Sequence, residues 1–185
     1  QQDGVEEGTI SVSGTTISYN AFTGSHYALP DDPEEEFEKG NLVTLTGNNK
    51  YLNNNPKSEI TYGITKSTKA NDPAVLGSYL AVQESNASTS INNPFLIMAV
   101  GNGDMWIADN GEDIKPGDFL ISSDVAGHAM KDDRKSDASY VIARASEGIN
   151  WSEVSDYTDE HGSGEQINTD EGLKHKKISV FFEYF

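Results

Sequence analysis

Apolar positions along this chain come in short alternating runs separated by Gly, Asn, Asp and Ser, and no run holds the helical period for long. Gly8 to Ser13 and Thr15 to Tyr19 alternate on either side of Ser13-Gly14 and predict a hairpin. Ala21 to Leu29 follows. Asn41 to Gly47 predicts a strand in which adjacent Leu42 and Val43 suit burial, Tyr51-Leu52 leads into an Asn-rich, Pro-containing corner, and Glu59 to Thr65 predicts another strand. Ala74 to Leu76 offers one helical turn ahead of a strand from Ser78 to Glu84. The most apolar run, Pro94 to Gly101, has the length of a buried strand, and its successors are Met105 to Ala108, Asp118 to Ser123, His128 to Lys131 and Tyr140 to Ala145. Lys177 to Phe185 closes the chain with a strongly β-prone run.

The stretch from Gly101 to Lys131 carries the densest backbone requirements. Gly101-Asn-Gly-Asp104 predicts a tight turn pairing the apolar run with Met105 to Ala108, and Lys115-Pro-Gly-Asp118 presets a reverse turn with Pro first and Gly second. A second turn is expected at Asp124 to Gly127. Together these runs predict an all-β chain, a barrel-like or sandwich domain of about ten short strands with long acidic loops. Its length suits a single domain over residues 1–185. Within it, 1–20 reads as an N-terminal hairpin or stalk junction, 152–172 as a mobile acidic loop and 177–185 as the closing strand.

Charge narrows the partners. Thirteen basic residues face thirty acidic ones, for a net charge of −17. Residues 1–40 hold nine acids and one base, and 147–171 hold eight acids and none. Such a field repels a phosphate backbone, so nucleic acid and anionic membrane are poor partners. With no cysteine, disulfides, thiolate nucleophiles and Cys-ligated zinc are excluded. No apolar run of membrane-spanning length occurs, so insertion through a helix is not expected. The abrupt QQDGVEEG start suggests a piece of a longer chain.

Candidate chemistry is sparse. Thr23 three residues before His26, with Ser25 and Asn20 close by, resembles the arrangement of self-processing domains of the hedgehog and intein kind, where Thr and His polarise a scissile peptide. The competing reading is a structural histidine in a strand or turn. Ser25, Ser122, Ser123, His26, His128 and Asp124 contain the residue types of a Ser-His-Asp set, but no Gly-x-Ser-x-Gly elbow accompanies them. Asp109, Glu112 and Asp113, like the acids from Asp31 to Glu36, carry oxygen ligands of the kind calcium takes, without matching the calcium-loop pattern. A solvated surface is the simpler account, and no cofactor is expected. Among the aromatics, Trp106 alternates with core positions, whereas Trp151 and Tyr27 are the candidates for stacking on a ligand.

The ordered succession Gly-Asn-Gly-Asp-Met-Trp-Ile (101–107), Ile-Lys-Pro-Gly-Asp-Phe-Leu-Ile-Ser-Ser (114–123), Val-Ala-Gly-His-Ala-Met-Lys (125–131) and Tyr-Val-Ile-Ala-Arg-Ala (140–145), preceded by Phe22-Thr-Gly-Ser-His26, resembles β-rich domains near the C-termini of phage tail-fibre and bacterial surface-fibre proteins. The resemblance covers roughly Ala21 to Trp151. It implies a non-enzymatic module, extracellular, at a cell surface or on a virion, displayed at the end of a fibre and serving attachment or fibre assembly. The implied partners are a cell-surface glycan or protein receptor, or other fibre chains in a homotrimer. A self-processing domain and a carbohydrate-binding module are the alternatives.

Overall fold

The computed structural model describes residues 10–13, 16–19, 23–51, 60–83, 93–134, 140–154 and 174–182. Strands β1 (Ile10–Ser13) and β2 (Thr16–Tyr19) form the expected antiparallel hairpin, with Ile10 opposite Tyr19. The others are β3 (Thr23–Pro30), β4 (Leu42–Leu45), β5 (Lys50–Tyr51), β6 (Ile60–Lys66), β7 (Val75–Val82), β8 (Phe95–Ala108), β9 (Phe119–Ser122), β10 (Ala129–Lys131), β11 (Ala143–Ala145) and β12 (His175–Phe182). A 3-10 turn at Trp151–Glu153 follows β11. The fold is all-β, and β3 to β12 form one ten-stranded mixed sheet. Among the described residues no helix is long and apolar enough to cross a membrane.

The organising element is β8, which belongs to two closed rings. Its first half pairs antiparallel with β3 and with β7, and β3–β6, β6–β4 and β4–β7 complete a circuit of five strands. Its second half pairs antiparallel with β12 from Gly101 to Ala108 and meets β10 in parallel at Ile107 and Ala129. The pairs β12–β11, β11–β9 and β9–β10 close a second five-stranded circuit. Closure satisfies the backbone groups that an open sheet leaves at its edges.

Each ring has its own apolar filling. Ala28, Val43, Ile64, Tyr79 and Ile97 fill the first, with Phe37 and Phe95 packed against them. Phe37, Tyr79 and Phe95 form a triangle of tilted and edge-on rings with centroids 4.9–5.8 Å apart. Met105, Ile107, Leu120, Ile178, Val180 and Phe182 lead the second core. Adjacent Leu42 and Val43 are both fully buried and serve different cores, Leu42 the second and Val43 the first.

Several expectations are corrected. Gly101 to Asp104 is not a turn, because β8 runs unbroken through it. Gly101 takes a positive φ of 86° inside the strand, and a Cβ on Gly103 would lie 2.5 Å from the Phe182 ring. These glycines lie where β8 passes from one ring to the other. Val75 and Leu76 belong to β7, not to a helical turn. The acidic segment after Pro30 is not wholly solvated: the Glu35 carboxylate accepts from the Lys66 N–H at 2.9 Å and from the Thr65 hydroxyl, which anchors the loop to β6. The reverse turn at Lys115 to Asp118 forms as expected, with Gly117 at φ 93° and the Asp118 N–H bonded to the Lys115 carbonyl. β12 begins at His175, ahead of the expected Lys177, and 183–185 and 155–173 lie outside the described residues.

Candidate functional site

A cleft of about 490 Å³ opens beside β8 where it passes between the two rings. Asn102, Gly103 and Asp104 of β8 line it together with Ser179, Val180 and Phe181 of β12. Met98, Leu80, Lys39 and Ser146 complete it. The register places Ser179 opposite Asp104 and Phe181 opposite Asn102, so the polar and aromatic side chains of two strands stand side by side on the outer face. Ile178, Val180 and Phe182 turn inward to the second core.

Lys39 reaches Asp104 from the loop before β4, with its ammonium 2.5 Å from the carboxylate. That reach depends on Gly40, whose φ is 98° and whose added Cβ would lie 3.1 Å from Lys177 and 3.3 Å from Trp106. The Gly40 N–H bonds to Tyr79 and its carbonyl accepts from Trp106, which pins the loop to β7 and β8. Ser78 Oγ donates to the Asp104 carbonyl at 2.8 Å.

At the other wall, the Ser179 hydroxyl and backbone N–H both donate to Glu147, and Ser146 Oγ donates to the Ser179 carbonyl at 2.7 Å. Hydrogen bonds from Ser179, first its hydroxyl and then its N–H, hold the Glu147 carboxyl below its ordinary pKa; nearby Lys176 adds to this, while partial burial and Asp104 oppose it. A carboxylate so stabilised in its charged form is a weak base at neutral pH, so it does not activate the serine whose proton it already holds in a hydrogen bond.

The residues singled out in the sequence are dispersed. His26 lies in β3 opposite Ile97, its ring edge-on to Tyr62 at 5.5 Å. Ser25 is exposed on the same strand, Thr23 enters through its backbone pairing with Gly101, and Asn20 lies outside the described residues. Tyr27 is half-buried in β3 opposite Leu96. Trp151 is not a loop aromatic open to a ligand. It is only 6% exposed, its Nε1–H donates to the Glu112 carbonyl, and its backbone N–H donates to Asp113 Oδ1.

The acids named for calcium have other roles. Asp109 Oδ1 accepts from the Gly111 N–H, Asp113 holds Trp151, and Glu112 pairs with Lys131 at 3.3 Å. Among the described residues no group of three or more His, Asp or Glu is placed to hold a metal ion. No protein-family model, curated protein or solved structure matches the chain.

A buried histidine pair was not foreseen. His128 is fully buried, with Nδ1 2.7 Å from the Ala126 carbonyl and Nε2 2.9 Å from His175 Nδ1. The carbonyl requires a proton on Nδ1, so neutral His128 accepts from His175 through Nε2. His175 stacks on Trp106 at 5.1 Å, and Lys177 sits over the same indole. Ser122 Oγ accepts from the Asp72 N–H, and Ser123 Oγ braces the Val125 turn. His128, Ser122 and Ser123 are thus spoken for structurally, and they do not form a Ser-His-Asp set.

Proposed function

We propose that the protein is a non-enzymatic extracellular module of a fibre or surface protein that serves attachment or fibre assembly, carried by a cell surface or a virion and working as a homotrimer. The observation that supports this reading is the cleft where β8 passes between the rings, which brings together charged and hydroxyl groups, Lys39 paired with Asp104 and Ser179 with Glu147, beside the exposed Phe181. The resemblance of the strand succession to fibre domains supports it from the sequence side. Closed rings also suit an exposed position, since few sheet edges remain to recruit stray strands.

Sedimentation equilibrium of the purified chain, together with its retention on whole bacterial cells, tests the reading. A trimer that binds cells is the expected result. A chain that stays monomeric at high concentration and binds neither cells nor partner chains removes it.

A further inference from the structure

The outer face of the second ring carries two parallel rails. One runs through Phe119 of β9, Arg144 of β11 and Phe181 of β12, which the registers Arg144↔Phe119 and Arg144↔Phe181 set side by side. Phe119 and Phe181 are 37% and 45% exposed, unusual for phenylalanine, and Arg144 lies over the Phe119 ring with Cζ 4.5 Å from its centroid. The other rail is polar: Ser146, Ser179 and the Lys39–Asp104 pair. The cleft lies along this second rail, with Phe181 at its margin.

We infer that this face binds a neutral glycan chain, with one pyranose ring over Phe181 and its hydroxyl edge turned to Lys39, Asp104 and Ser179. The inference rests on the attachment reading and supplies its ligand class. A pyranose has an apolar C–H face and a rim of hydroxyls, which matches an aromatic rail beside a polar one. The Lys39 ammonium and the Asp104 carboxylate offer donors and an acceptor side by side, the pairing that adjacent sugar hydroxyls need. Charge selects a neutral ligand, because Lys39 and Asp104 cancel each other locally and the net charge of −17 opposes polyanions. Phe119 and Phe181 stand two strand spacings apart, about 10 Å, so a chain of at least two sugar residues spans the aromatic rail.

Saturation-transfer NMR and calorimetry of the whole chain with cello-, xylo- and manno-oligosaccharides test this, with oligogalacturonate as the anionic counterpart. Binding of at least one neutral oligosaccharide, insensitive to added salt, is expected. Phe181→Ala should weaken it about tenfold or more, Asp104→Asn should weaken it too, and Tyr51→Ala, an exposed aromatic on β5 beside the first ring, should leave it unchanged. Unshifted melting temperatures show that the variants fold. Absence of binding to any neutral oligosaccharide, binding of oligogalacturonate alone, or binding undiminished in Phe181→Ala overturns the inference. Cell binding separates the two proposals: retention by Phe181→Ala at wild-type strength removes the glycan site and leaves attachment standing, whereas oligosaccharide binding without any cell binding does the reverse.

Discussion

Replacing Gly77 by alanine tests the closure of the first ring at its tightest point. Gly77 sits where β7 passes from β4 to β8, opposite Val43 and next to Ser78, which faces Met98. Its φ is 152°, and an added Cβ would lie 2.0 Å from the Met98 carbonyl oxygen and 2.9 Å from that carbonyl carbon. Both are backbone atoms, so no side-chain rotation relieves the overlap. Parting the strands by an ångström takes ladder bonds of ordinary length out of range. Two buried ladder bonds lost at about 1–3 kcal/mol each, with about 1 kcal/mol of backbone strain, give about 3–7 kcal/mol. Against a total stability of about 5–15 kcal/mol this is severe, and at about 2–4 °C per kcal/mol for a chain of this size it lowers the melting temperature by about 6–28 °C. Gly47→Ala is the control, since Gly47 has φ 86° but no atom within 4 Å of the added Cβ; only strain of about 1–2 kcal/mol is expected. Scanning calorimetry of both variants decides the matter. If Gly77→Ala melts no lower than Gly47→Ala, β7 and β8 do not close the ring as described.

Further outcomes follow from the same contacts. Trp151→Phe, which removes the indole bond to the Glu112 carbonyl, should cost about 1 kcal/mol in urea unfolding, and Trp151→Ala about 3–5 kcal/mol through its cavity. Asp118 is partly desolvated, which raises its pKa, but its bonds from the Lys115 N–H and from Lys131 outweigh that and hold it below its ordinary value, as Ser179 does for Glu147. Both carboxylates therefore add stability above their unfolded pKa values that is lost as pH falls through the depressed folded ones, and Asp118→Asn should flatten the acid limb of a melting-temperature profile. Lys131 has the opposite sign: burial lowers its pKa, but Asp118 and Glu112 raise it overall, so its contribution is complete below the unfolded pKa and disappears as pH rises through the folded one. Calcium should change neither the melting temperature nor the calorimetric baseline, because Asp109, Glu112 and Asp113 are already engaged.

Local pattern and distant closure were unequally legible. The apolar runs at Leu42 to Leu45 and Phe119 to Ser122, the alternation from Lys177 to Phe182 and the Pro116-Gly117 turn follow from near neighbours, and the all-β class follows with them. Gly101 and Gly103 were misjudged because a glycine that permits a turn and one that makes room for a distant ring are the same letter; Phe182, which Gly103 accommodates, lies far along the chain. Trp151 looked available among polar neighbours because its acceptor, the Glu112 carbonyl, is 39 positions away. The cleft has no local signature, since Asp104 and Ser179 meet only through the pairing of β8 with β12, and Lys39 joins them from a loop that Gly40 pins to β7 and β8. One clue was present: Phe181 shares the odd-numbered, polar face of the last strand with Ser179, where an aromatic side chain has no core to fill.

A strand common to both rings also dictates the order in which they can be made. The partners of the first half of β8 all precede it in the chain, so the first ring can close once residue 101 has left the ribosome. The second half must wait for β12, whose His175 pairs with Ala108. Until Ala129 emerges to pair with Ile107, Met105 and Ile107, fully buried in the finished protein, have no strand of the second ring beside them. A pause in synthesis between Ala108 and Ala129 therefore leaves an unpaired apolar ribbon attached to a finished ring, the kind of intermediate that chaperones capture and that favours exchange between nascent chains.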